Sequence, residues 1–176
     1  MTHQSQEFSF NGDNNLAFYG IIHHLSEACG GNVHLHNIVD VACSSCYLSH
    51  GSRENSVDLN NPRNYFQSNN ERDAWLQYDF KDKKIRPTHY SIRSRHDFKN
   101  NFMVNWIIEG SNSDGENKDW KILDRRSNVT CLCEQNAQNT FDINSILEPN
   151  ESFRFLRIRQ TGSDSDGLYY LTFSAL

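Results

Sequence analysis

The sequence predicts an all-β protein, an antiparallel jelly-roll β-sandwich with a short N-terminal helix. Segments such as residues 75–80 and 88–94 alternate apolar and polar residues, as strands with one buried face do. Several short segments of this kind are separated by Gly, Asn and Asp, and no long helix alternates with them. This pattern is typical of packed antiparallel sheets and argues against a doubly wound parallel sheet.

Composition restricts both the size and the partners of the protein. The chain has 176 residues, of which 36% are hydrophobic and 22% are charged. These values fit one globular domain with a short appendage. The net charge of −5 argues against general affinity for nucleic acid or an anionic membrane, because phosphate binding needs clustered cations. A local basic patch at Arg154, Arg157 and Arg159 is the one exception we expect.

Residues 16–29 carry the pattern of the short helix. Leu25 follows Ile21 by four positions and Ile22 by three, which is helical spacing. Gly30-Gly31 then supplies a helix stop. We assign residues 1–19 to an N-terminal extension and residues 20–176 to the sandwich domain.

The strand pattern takes over from residue 38. Strands are predicted at residues 38–44, 76–80, 89–93, 104–109, 120–123, 140–143, 155–160 and 170–175. The phase of the apolar residues in each strand predicts which side chains share the buried face. The predicted core residues are Leu76, Tyr78, Phe80, Tyr90, Ile92, Trp106, Ile108, Leu156 and Ile158. Their neighbours Gln77, His89, Ser91, Arg157 and Arg159 are predicted to point outward.

Four motifs along these strands carry a family resemblance. They are Ala-Cys-Ser-Ser at 42–45, Trp-Leu-Gln-Tyr-Asp-Phe at 75–80, the Ser-Asp-Gly turn at 113–115 that precedes Trp120, and Arg-Phe-Leu-Arg-Ile-Arg at 154–159. Their order resembles the discoidin or coagulation-factor type C domain, which has the galactose-binding-like fold. The resemblance covers about residues 20–176. It implies a recognition module, because that family is not known for catalysis by the domain itself.

Three further segments are similar to the intracellular branch of that family. They are residues 78–94, with Arg-Pro-Thr-His-Tyr-Ser-Ile-Arg-Ser at their end, residues 107–111 and residues 159–162. That branch often accompanies BTB domains or ubiquitin-ligase components. The resemblance therefore implies a non-enzymatic module that binds a protein partner within a larger intracellular protein or complex. The alternative is a carbohydrate-binding module that uses loops at one end of the sandwich.

Loops at one end of the sandwich carry binding in the family that the chain resembles. The corresponding loops here are residues 47–57, 61–73, 94–101 and 161–169. We expect them to present exposed aromatic and charged side chains on a rigid scaffold. The candidate ligand-binding residues are Tyr47, Arg53, Arg95, His96, Phe98, Asp164 and Tyr169. One aromatic residue per loop is poor for insertion into a bilayer, so membrane binding is not expected.

Sugar binding would need an aromatic platform with planar polar groups that bond hydroxyls. Tyr169, Arg95, His96 and Asn100 are residues of these types. Because such residues are common in loops, the pattern leaves the choice between a sugar and a protein partner open.

Five cysteines, an odd number with close pairs, make a poor disulfide framework. They predict reduced thiols and an intracellular location, cytoplasmic or nuclear. His34, His36, Cys43 and Cys46 supply four zinc-type ligands. The strand phase, however, predicts that Cys43 and Cys46 face opposite sides. We therefore favour structural cysteines and surface histidines, with no metal and no cofactor.

A catalytic reading finds little support in the same residues. A cysteine near a histidine would need a third group that orients the histidine, and no motif supplies one. The sequence predicts no catalytic residues.

Overall fold

A computed structural model describes residues 6–47, 51–97, 99–115 and 118–176. In this part of the chain there are one α-helix and nine strands. They are α1 Ile21–Cys29, β1 Asp40–Cys43, β2 Phe66–Gln67, β3 Trp75–Asp79, β4 His89–Arg93, β5 Trp106–Ser111, β6 Lys121–Arg126, β7 Gln138–Asp142, β8 Phe155–Gln160 and β9 Thr172–Phe173. Among these residues, none of the helical segments has the length and apolar character needed to span a bilayer.

Five strands form the larger sheet, in the order β1-β3-β8-β5-β6, and every pairing is antiparallel. Ile158 of β8 lies opposite Leu76 of β3 on one side and Ile108 of β5 on the other. Residues directly opposite each other in an antiparallel pair share a face. The register therefore brings the apolar residues of the central strands together on one face.

The other four strands form the second layer as two antiparallel pairs, β2 with β9 and β4 with β7. A bridge between Arg93 and Ala175 joins β4 to the residues that follow β9. Contacts across the core hold the two layers face to face. The ring of Phe141 in β7 meets the Trp106 ring edge-on at 5.3 Å.

The residues before the sandwich pack on the outer side of β4. Ser91 Oγ donates a hydrogen bond of 2.7 Å to the carbonyl oxygen of Ala17, and Arg93 lies over the Phe18 ring at 5.1 Å. Helix α1 ends as the sequence predicts. Gly30 adopts φ +74°, and its N–H bonds the carbonyl of Ser26.

Burial confirms most of the predicted core and corrects three positions, Tyr90, Leu156 and Ser91. Tyr90 is only partly buried. Trp106, Ile108 and Ile158 are buried. Leu156 is only partly buried against the core. Gly110 lies opposite it in β5, and the Phe153 ring fills the space beside Gly110. Ser91 was predicted to point to solvent, but it is buried because the N-terminal extension covers it.

The predicted architecture is confirmed, and two strands, β4 and β8, have the bounds that the sequence predicts. Strand β2 was not predicted. It consists of Phe66 and Gln67 alone, which is too short to show an alternating pattern.

Ile158→Ala should lower the free energy of unfolding by about 2–5 kcal/mol. Ile158 is fully buried between β3 and β5, and truncation leaves a cavity that the neighbours fill only in part. Chemical denaturation monitored by tryptophan fluorescence measures this change.

The matched control is Ile146→Ala, since the Ile146 side chain is 94% exposed. Its free energy of unfolding should change by less than about 0.5 kcal/mol. Equal effects of the two substitutions would contradict the assignment of the buried face.

Candidate functional site

Four loop segments gather at one end of the sandwich, which we call the loop end. They are residues 44–47, 68–73, 94–105 and 161–170. Each adjoins a strand terminus at this end. Hydrogen bonds of the backbone connect these loop segments. The Glu71 N–H donates to the Tyr169 carbonyl at 3.2 Å. The Phe102 N–H donates to Ser165 Oγ at 3.0 Å. Three of the predicted binding loops, 61–73, 94–101 and 161–169, contribute residues to this end, and the loop 47–57 contributes Tyr47.

Arg95 does not have the exposure that the sequence predicts, because it is 4% exposed. Its Nε donates to Asp97 Oδ1 at 2.7 Å, and its Nη1 donates to the side-chain oxygen of buried Gln67. The guanidinium stacks on the Tyr65 ring at 3.9 Å. Because these contacts lie inside the protein, Arg95 stabilises the loop and is not exposed to a ligand.

Asp164 is also buried rather than exposed. Its Oδ1 accepts hydrogen bonds of 2.9 Å from the backbone N–H groups of Asp166 and Leu168. Burial raises the pKa of this carboxyl above its ordinary value. The side chain therefore shapes the turn that precedes Tyr169.

The remaining predicted residues lie in varied positions. His96 is partly buried, and its carbonyl accepts a 2.7 Å hydrogen bond from Gln135. Arg53 is exposed in a short 3-10 helix, Arg53–Val57. Phe98 lies outside the described residues. Neither His96 nor Arg53 makes a described contact with Tyr47 or Tyr169.

Tyr47 and Tyr169 take part in two separate ring contacts at the loop end, which the consecutive residues Tyr169 and Tyr170 connect along the chain. Tyr47 is 39% exposed, and its ring meets the Tyr170 ring edge-on at 5.8 Å. The Arg72 guanidinium lies over the neighbouring Tyr169 ring at 4.6 Å. We call Tyr47, Arg72, Tyr169 and Tyr170 the tyrosine–arginine surface.

Sequence reasoning missed two members of the tyrosine–arginine surface, Arg72 and Tyr170. Arg72 lies in the loop at 61–73 that was identified as a binding loop. Tyr170 was assigned to a strand, but β9 begins two residues later. The Tyr169-Tyr170 doublet was the signal that could have identified both tyrosines.

Two open depressions lie at the loop end. One depression of about 340 Å³ is lined by Lys99, Phe102, Cys133, Glu134 and Gln135. A second, of about 200 Å³, is lined by Arg72, Asp73, Thr161, Gly162 and Tyr169. The second depression includes Arg72 and Tyr169 of the tyrosine–arginine surface. The first depression has a volume near the lower limit of ordinary ligand pockets, and the second is smaller than that limit.

The predicted basic patch is largely neutralised by ion pairs. Arg157 Nη2 lies 2.7 Å from Glu109 Oε2, and Arg159 Nε lies 3.3 Å from the same oxygen. Arg154 pairs with Asp79 at 2.7 Å. The outer face of the larger sheet therefore holds paired charges rather than free cations for phosphate groups.

The histidine–cysteine set does not assemble, although its two cysteines meet. Strand β1 ends at Cys43, and the chain then turns so that Cys46 Sγ lies 3.0 Å from Cys43 Sγ. The prediction that these residues face opposite sides is therefore wrong. His34 Nδ1 accepts the Val41 N–H at 3.1 Å. Within residues 6–47, 51–97, 99–115 and 118–176, no three His, Cys, Asp or Glu side chains meet with metal-binding geometry.

The sequence model of the F5/8 type C domain matches residues 40–172, which span the sandwich from β1 to β9. The chain belongs to the F5/8 type C domain family. This membership confirms the discoidin-type resemblance of the strand motifs. It also agrees with the two-layer architecture and with the loops that gather at one end.

One curated relative is the E3 ubiquitin-protein ligase Ufd4 of Drosophila melanogaster. It is 29% identical over 102 residues, which are 57% of this chain and 4% of that protein. The chain thus matches a small part of a much longer ligase.

Two solved structures from Clostridium perfringens share the fold. CpGH89CBM32-5, solved with GalNAc-β-1,3-galactose, aligns with a TM-score of 0.61 at 10% identity, over 79% of this chain and 93% of its own. CBM32-3 from a family 31 glycoside hydrolase aligns with a TM-score of 0.61 at 17% identity, over 79% and 88%. At these identities the likeness shows the fold alone.

Arg95→Ala should destabilise the protein by about 1–3 kcal/mol, because it leaves the buried side-chain oxygen of Gln67 without its donor. Thermal unfolding followed by circular dichroism measures the effect. Arg72→Ala is the matched control. Arg72 is exposed, and its removal should change stability by less than about 0.5 kcal/mol. An Arg95→Ala protein as stable as the control would contradict the supporting role of Arg95.

Chelator treatment should leave the thermal midpoint unchanged. A structural metal would contribute folding free energy, and its removal would lower that midpoint. His34 and the Cys43–Cys46 pair hold separate contacts, so we expect no metal between them. A large drop after dialysis against EDTA, reversed by zinc, would contradict this expectation.

Proposed function

We propose that this chain is a non-enzymatic recognition module that binds a protein partner through the tyrosine–arginine surface. The observation that carries the proposal is the arrangement of Tyr47, Arg72, Tyr169 and Tyr170. Two ring contacts, Tyr47 with Tyr170 and Arg72 with Tyr169, lie on loops at the same end of the sandwich. Tyrosine and arginine are enriched among the side chains that dominate binding energy at protein interfaces.

Backbone hydrogen bonds hold the surface in place, which reduces the entropy lost on binding. The Tyr47 N–H donates to the Gln67 carbonyl at 2.7 Å. The Tyr169 N–H donates to Asn70 Oδ1 at 2.8 Å. A partner would therefore meet rings whose backbone is already fixed by β2 and its neighbouring loop.

The same geometry favours a protein over a sugar. A sugar site needs a free aromatic face and converging groups that bond hydroxyls. Here the Arg72 guanidinium lies over the Tyr169 ring, and buried Arg95 already pairs with Asp97 and Gln67. The open depression beside Tyr169 suits the edge of a broad interface better than an enclosed monosaccharide.

We further propose that the module acts inside the cell as one part of a larger protein or complex. The match to a short segment of a ubiquitin ligase supports this setting. So does the odd number of closely spaced cysteines, which fits a reducing compartment.

Site-specific photo-crosslinking tests the proposal. Tyr169 is replaced by p-benzoylphenylalanine, and the protein is irradiated in lysate from the source cells. We expect discrete protein adducts from this position. Adding Tyr47→Ala to the same chain should reduce their yield about tenfold, because an interface anchor commonly carries about 1–2 kcal/mol.

The control places the same photo-reactive residue at Ile146. That side chain is 94% exposed, and it follows β7 at the end of the sandwich opposite the loop end. Equal adducts from both positions would overturn the proposed surface. Selective binding on a glycan array, lost in Tyr169→Ala, with no protein adduct would favour the carbohydrate alternative.

A further inference from the structure

Two thiols lie next to each other where β1 ends. Cys43 is the last residue of β1 and is partly buried, while Cys46 is exposed. Their Sγ atoms are 3.0 Å apart. A disulfide bond has a length of about 2.0 Å, so rotation of the side chains through about 1 Å would bring the sulfurs to bonding distance.

The surroundings of this pair favour dithiol chemistry over metal binding. Neither His34 nor His36 makes a described contact with the two sulfurs. In the part of the chain that the structure describes, no third metal-ligating side chain joins them. The nearby charges are Arg53 and Glu54, one of each sign. What the geometry offers is two sulfurs in contact, one of them open to solvent.

We propose that Cys43 and Cys46 form a reversible intramolecular disulfide, and that low-molecular-weight disulfides such as oxidised glutathione are the oxidant. The Cys46 thiolate attacks one sulfur of oxidised glutathione, which forms a mixed disulfide and releases one glutathione thiolate. The Cys43 thiolate then attacks the Cys46 sulfur and releases the second glutathione. The protein loses two protons and two electrons, and the oxidant is reduced to two glutathione molecules.

The different exposure of the two thiols sets the order of these steps. Cys46 meets the oxidant because it is at the surface. Burial, together with the hydrogen bond to Cys46 and its charge, raises the pKa of the Cys43 thiol to about 12. The mixed disulfide removes the Cys46 thiol from these causes, whereas the burial of Cys43, which is the largest cause, remains. Cys43 is then the resolving thiol.

The disulfide would lie directly beside the tyrosine–arginine surface. The Ser44 N–H donates to the Trp75 carbonyl at 3.0 Å, and the Tyr47 N–H donates to the Gln67 carbonyl at 2.7 Å. A bond between residues 43 and 46 would tighten the segment between these two anchors. Control of partner binding by oxidation rests on the proposed function, whereas the formation of the disulfide does not.

The experiment uses the purified chain in buffers that contain reduced and oxidised glutathione at varied ratios. Samples are quenched with acid, alkylated and analysed by intact mass and peptide mapping. We expect the number of alkylated thiols to fall from five to three, since the chain has five cysteines and two join. The linked peptide should contain Cys43 and Cys46, and dithiothreitol should restore all five thiols.

Single substitutions test the order of the steps. Cys43→Ser and Cys43→Ala should each retain glutathione on Cys46, because the resolving thiol is missing. Cys46→Ser should form no disulfide with Cys43. Cys131→Ser is the matched control, and it should still form the Cys43–Cys46 bond. Circular dichroism establishes that each variant is folded.

The proposal is overturned if the wild-type chain keeps all five thiols, or if it accumulates the same glutathione adduct as Cys43→Ser. A bond between Cys131 and Cys133 in place of Cys43–Cys46 would overturn it as well. The mass measurement needs no binding partner. Failure of photo-crosslinking at Tyr169 would therefore count against the proposed function and leave the disulfide result standing.

Discussion

A buried carboxylate joins the two layers of the sandwich. The Asp124 side chain in β6 is fully buried, which is costly for a charge unless donors surround it. It accepts hydrogen bonds from Tyr90 in β4 at 2.5 Å, Arg126 at 2.7 Å and Asn144 at 2.8 Å. The Tyr90 hydroxyl also accepts the Trp106 Nε1–H at 2.9 Å. Arg126 lies on β6 itself, whereas Tyr90 lies in β4 and Asn144 follows β7, so these two donors reach Asp124 only when the second layer is correctly placed on the first.

That alignment determines where the loops meet. Strand termini of both layers meet at the loop end. A shift of one layer would therefore separate the loop around Tyr47 from the loop that carries Tyr169. Core contacts therefore help to position the loops, together with the local hydrogen bonds of Tyr47 and Tyr169. Fully satisfied buried networks specify one arrangement more strongly than apolar packing alone.

Periodicity predicted the features that depend on local sequence. Strands β4 and β8 were identified with their bounds, because their alternating residues face a core on one side. Burial at the margins depends on distant residues and could not be predicted. Leu156 has the same phase as fully buried Ile158 but is only partly buried, and no pattern within β8 shows how its partners in β3 and β5 cover it.

The candidate site shows the same division. The sequence placed the loops correctly, but it could not show which polar side chains turn inward. Arg95 is buried because Tyr65 and Gln67, nearly thirty positions earlier in the chain, pack beneath it. The one local signal in the sequence was Asp97, two residues after Arg95, which indicated that the two side chains could form an ion pair. The cysteine pair was missed because strand phase was extended past Cys43, where the strand in fact ends.

The burial of Arg95 has a consequence for the tyrosine–arginine surface. Its Nη1 holds the Gln67 side chain, and the backbone carbonyl of Gln67 accepts the Tyr47 N–H at 2.7 Å. Arg95 therefore affects Tyr47 indirectly, because it contacts Gln67 in β2 and Gln67 in turn binds the Tyr47 backbone. In this arrangement one residue positions the surface and other residues contact the partner, whereas a single exposed arginine would have to do both. Buried Arg95 holds the Gln67 side chain, and exposed Tyr47 remains available to a partner, as a preorganised binding surface requires.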